Sequence, residues 1–77
     1  SAHICYGFVG QISQIKGLDK IIETLAKVEN KQWTLLIAGK CSGANRAYLS
    51  YCNSLARDLG VFEKLVYLGF QEYLDDF

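Results

Sequence analysis

The chain has 77 residues, 51% of them hydrophobic, and its eight basic and eight acidic side chains cancel. That is room for one small domain with a modest core, and too much apolar character for a disordered chain. The charge balance gives no support for a nucleic-acid or membrane-surface partner, and no apolar run approaches the roughly 18 residues of a spanning helix.

Ile4–Val9 is a short apolar run that reads as a buried parallel strand. It runs into Gly7–Gly17, G-F-V-G-Q-I-S-Q-I-K-G, a glycine turn ahead of a helix. From Leu18 onward, Leu18, Ile21, Ile22, Leu25 and Ala26 recur at helical spacing, and the pattern fades by Glu29–Asn30. Asp19 suits the positive end of that helix. Trp33–Gly39 predicts a second strand, continuously apolar as burial on both faces requires. After a loop over Lys40–Asn45, a second helix is predicted from Arg46 to Leu59. Its inner stripe would be Tyr48, Cys52, Leu55, Ala56 and Leu59, and Gly60 would stop it. Lys64–Leu68 predicts a third strand, with a third helix beginning near Gln71 or Glu72.

The order β-α-β-α-β with right-handed crossovers predicts an α/β fold: a three-stranded parallel sheet, order 3-2-1, flanked by helices, half of a Rossmann-like domain. The chain lacks methionine and stops inside an apparent helix start, so residues 1–77 are expected to be a partial domain, truncated at both ends. The first strand, central in a longer parent, is then an edge here, and the fragment is expected to self-associate through it. No secretory leader is visible, so a cytoplasmic protein is expected, its parent peripheral to the membrane.

Several chemistries drop out. G-x-G-x-x-G is absent, and Lys40 stands where a ribose-binding acid would follow the second strand. Gly39-Lys40-Cys41 does not complete a Walker sequence, and a lone His3 supports no nucleophilic triad. Cys5, Cys41 and Cys52 follow no metal spacing and read as free thiols, so neither metal nor cofactor is expected. What remains is an anion site at the C-terminal ends of the strands, where Gly10, Gln11, Lys16, Lys40 and Arg46 fall. The plainer alternative for Lys40 and Arg46 is a pair of solvated loop charges.

Tyr6 to Asp19, Y-G-F-V-G-Q-I-S-Q-I-K-G-L-D, resembles the start of the C-terminal domain of retaining GT-B glycosyltransferases of family 4. That family typically reads V-G-R-L-x-x-x-K-G there, followed by a helix of the type L-D-x-L-I-x-A. Trp33–Gly39 is similar to its W-x-L-x-I-A-G strand, and Leu59-Gly60-Val61 with Val66–Phe70 to its L-G-V and V-x-F-L-G-F segments. The resemblance covers nearly the whole chain in order. It implies a nucleotide-sugar donor whose diphosphate is held by an arginine and a lysine five residues apart. Lys16 matches the lysine, and Gln11 replaces the arginine. An uncompensated loss of such a charge-assisted bond forfeits about 1.5–3 kcal/mol. The resemblance also puts Gly69, Phe70 and Gln71 beside the nucleobase. The ribose-binding E-x7-E segment and the acceptor-binding domain would lie outside the chain, so no catalytic residue is assigned within it.

The expected function is a fragment of an enzyme that moves a sugar from a nucleoside-diphosphate donor to a saccharide or lipid acceptor, in cell-surface polysaccharide synthesis. The fragment alone is expected to be inactive. Two rivals fit the same periodicity: a non-enzymatic α/β binding or interaction module, and a GT-B sugar-nucleotide epimerase.

Overall fold

The computed structural model describes residues 2–68. Three strands, β1 (Ile4–Val9), β2 (Trp33–Ala38) and β3 (Leu65–Leu68), alternate with two helices, α1 (Leu18–Ala26) and α2 (Arg46–Asp58). The sheet is parallel with β2 in the centre, the predicted order. β1 runs alongside β2 from the Ile4–Trp33 pair to the Val9–Ala38 pair, and β3 joins from Leu35–Leu65 to Ala38–Leu68. The predicted third helix lies outside the described residues.

The strands advance across the sheet in one direction, so right-handed crossovers put both helices on the same face. There α1 and α2 pack against each other, and their buried side chains share one core with those of the sheet. Leu18, Ile22 and Leu25 are the buried face of α1. Trp33, Leu35 and Ile37 of β2 alternate inward beneath the helices, as a period of two requires. Phe8, Leu65 and the partly buried Tyr6 and Tyr67 extend this layer to the flanking strands.

The other face of the sheet is open among the described residues. Val9 is 86% exposed, and Val66 and Leu68 are also exposed. The reading of β1 as a buried strand is therefore corrected: only Phe8 is buried in it, because β1 is an edge with cover on one face. Exposed apolar side chains are also found off the sheet, at Ile15 before α1 and at Tyr51 and Leu59 on and just past α2.

α1 ends at Ala26, three residues before the pattern of apolar residues fades. α2 buries Leu49, Cys52 and Ala56, so its inner stripe is rotated from the predicted one, and Leu59 is exposed. Its stop is as expected. Gly60 takes φ 75°, its N–H bonds to Arg57 C=O at 3.0 Å, and Val61 N–H bonds to Ala56 C=O at 2.9 Å. This is a Schellman turn, and Val61 packs into the core beyond it.

Candidate anion site at the ends of the strands

The site begins where β1 ends. Gly10 has φ 140°, a conformation that a side chain at that position would strain. The hydrogen-bond ladder does not stop with the strand. Gly10 N–H donates to Ala38 C=O at 3.0 Å, and Ile12 N–H donates to Lys40 C=O at 2.8 Å. The β1–α1 loop is thus zipped to the start of the β2–α2 loop. Gly39 makes the zip possible: a Cβ there would lie 1.7 Å from the Gly10 carbonyl oxygen. Ile12, fully buried, pins the loop from below and leaves Gln11 exposed above it.

A single 3-10 turn over Gln14–Lys16 then carries the chain to α1, with Lys16 N–H bonded to Ser13 C=O and Gly17 N–H to Gln14 C=O. Ile15 and Lys16 both face solvent. Among the described residues the Lys16 ammonium has no hydrogen-bond or ion-pair partner. Arg46 opens α2 at the same end of the sheet. The fold therefore brings Gly10, Gln11 and Lys40 together through backbone bonds, and sets Lys16 and Arg46 at the starts of the two helices. All four polar side chains are exposed. Gly69, Phe70 and Gln71 lie outside the described residues.

Two residues of this region escaped sequence reasoning. Gly39 was visible only as a glycine after an apolar strand. Tyr48 read as a core residue, but its hydroxyl reaches across to the start of α1. It accepts a hydrogen bond from Asp19 N–H at 3.0 Å and donates one to Asp19 Oδ1 at 2.6 Å. Burial, then the bond to Asp19, holds the Tyr48 phenol protonated well above its ordinary range. Beneath it, burial pushes the Cys52 thiol up to about 11, so Cys52 is not a nucleophile at neutral pH. Among the described residues no group of His, Cys, Asp and Glu could hold a metal ion.

A cleft of about 300 Å³ opens between β1 and α1, with Tyr6, Ile21, Leu25 and Leu35 among its walls. None of Gly10, Gln11, Lys16, Lys40 or Arg46 lines it. Its walls are mostly apolar, with Lys20 and Thr24 among them, and it is distinct in place from the candidate anion loop.

The architecture defined by these elements is an α/β half-domain of Rossmann-like type, with a glycine loop and a lysine at the first helix start. The fold is similar to that of a crystal structure from Francisella tularensis, the C-terminal domain of the glycosyl transferase group 1 family protein LpcC. The likeness has a TM-score of 0.74 at 18% identity and covers 88% of this chain. The chain spans only about a third (35%) of that structure's length. No known protein family matches the chain, and no curated protein matches it. No helix among the described residues is long and apolar enough to cross a membrane.

Proposed function

We propose that this chain is the first half of the donor-binding domain of a retaining GT-B glycosyltransferase, and that its β1–α1 loop holds the diphosphate of a nucleotide sugar. The observation that carries the reading is the loop itself. A positive-φ glycine ends β1, the backbone is clamped to the β2 loop, and Lys16, without a side-chain partner among the described residues, stands just ahead of α1. The helix end contributes about half a positive charge and Lys16 a full one, both aimed at an anion seated on the loop. The fold likeness to a glycosyl transferase domain supports the same assignment. In this role the loop stabilises the leaving diphosphate by preorganised electrostatics, with no proton transfer asked of it. Sugar transfer itself requires the acceptor-binding domain.

In the full-length transferase, Lys16→Ala should raise the donor Kd about tenfold, the equivalent of about 1.4 kcal/mol. Calorimetric titration with UDP and GDP measures it, and unchanged affinity for both rejects the assignment. Gln11→Arg adds a second cation to the loop. Affinity for the same nucleotides should rise and become more sensitive to salt, since added ions screen the new charge. A fall in affinity would mean that the loop is shaped for a neutral glutamine.

A further inference from the structure

Tyr48 lies on α2, far along the chain from the loop, yet its hydroxyl makes two hydrogen bonds to Asp19, with the Cys52 thiol also beside it. Asp19 is the second residue of α1 and follows Lys16 by three positions. Its carboxylate is a hazard for an anion site. A free carboxylate at a helix start is drawn to the same positive end that would attract a phosphate, and to the same lysine. Tyr48 answers both problems with one oxygen. It donates to Oδ1, which fixes the carboxylate against α2, and it accepts from the Asp19 N–H, which satisfies one of the otherwise orphaned donors of the first turn. The ring that carries this hydroxyl is half-buried. It is tilted against Tyr51 at 6.4 Å between centroids and packs against the core, so the hydroxyl is held in place.

We propose that Tyr48 is a positioning residue for the anion loop: by clasping Asp19 it keeps a negative charge off Lys16 and fixes the end of α1 that faces the ligand. This rests on the reading that the Lys16 loop binds a diphosphate. The hydroxyl itself touches no ligand; it acts through Asp19.

The test measures binding of UDP to the full-length protein and its variants by calorimetry, with thermal melts in parallel. Tyr48→Phe should weaken UDP binding several-fold, because the released carboxylate competes with the phosphates for Lys16. Adding Asp19→Asn to Tyr48→Phe should restore the affinity, since the competing charge is gone. The melting temperature of the double variant should stay low, because the cap on the Asp19 N–H is still missing. Restored affinity without restored stability is the signature of a positioning role. Tyr48→Phe with unchanged affinity overturns the inference, as does a double variant that binds no better than Tyr48→Phe alone. Lys16→Ala separates the two levels. If it weakens binding while Tyr48→Phe does not, the loop assignment stands and the role of Tyr48 falls. If wild-type protein binds neither UDP nor GDP, or Lys16→Ala leaves binding of both intact, both fall together.

Discussion

Gly39→Ala is expected to cost the chain a large share of its stability, about 3 kcal/mol or more, at the upper end of what overpacking a tight contact does. The new methyl would sit 1.7 Å from the Gly10 carbonyl oxygen and 2.8 Å from its carbon. Both are backbone atoms, so no rotamer change relieves the clash. The two loops must part, and the bonds from Gly10 N–H to Ala38 and from Ile12 N–H to Lys40 go with them. Ile12, now fully buried, would be lifted from the core. A domain of this size has roughly 4–12 kcal/mol to lose, so the variant should be barely folded. Urea unfolding measures the effect as a fall in midpoint at constant slope. Gly7→Ala is the control. A Cβ at Gly7 meets nothing within 4 Å, and the backbone there is ordinary strand, so its midpoint should hardly move. Equal midpoints for the two variants would mean that the loops are not clamped as described.

The second large effect is expected in solution state: the 77-residue chain should pair through β1. Ile4 N–H and Gly10 N–H both turn toward β2, bonding to Gln32 and Ala38. Alternation along the strand then aims the N–H groups of Cys5, Gly7 and Val9 at the free edge. Nothing on Ile4–Val9 guards that edge, for the strand holds neither a charge nor a proline. The cleft between β1 and α1 offers mostly apolar walls to a side chain of an added strand, and on the opposite, open face of the sheet β1 itself carries the exposed Val9. A two-fold pairing of β1 with its copy closes both edges at once. Sedimentation equilibrium at tens of micromolar should give a mass near twice the 8.6 kDa of the chain. Cys5→Lys and Val9→Lys, both at exposed positions, should return it to a monomer whose melt no longer depends on protein concentration. A wild-type monomer refutes the idea.

The elements were legible because their signals are local. The stripe of α1, the continuous apolar run of β2 and the glycine stop of α2 each fix an element from residues a few positions apart. The phase of α2 was harder to read. Tyr48 and Leu49 are both apolar and sit about 100° apart on a helix of 3.6 residues per turn, so either could head the inner stripe. The sequence pattern favoured Tyr48 and Leu59. Packing chose Leu49, because the Tyr48 hydroxyl is drawn to Asp19 and the chain turns inward at Val61 instead of Leu59. The candidate loop shows in the sequence as a glycine followed by a lysine, and the structure places them at the end of β1 and just ahead of α1. Its clamp was not legible there. Gly39 and Gly10 meet only because two strands lie side by side, and no spacing along the chain announces a contact between backbones.

That clamp has a consequence for how the site comes into being. Ile12 and Lys40 belong to different loops on opposite sides of α1 in the chain, and they meet only when β2 lies beside β1. The loop's shape is therefore not encoded in the loop. A peptide spanning Gly7–Gly17 would hold the glycines and the lysine but lack the partner that bends them into a cradle. The loop's shape is acquired in the same cooperative step as strand pairing, and any ligand that favours the clamped loop would also favour the paired sheet.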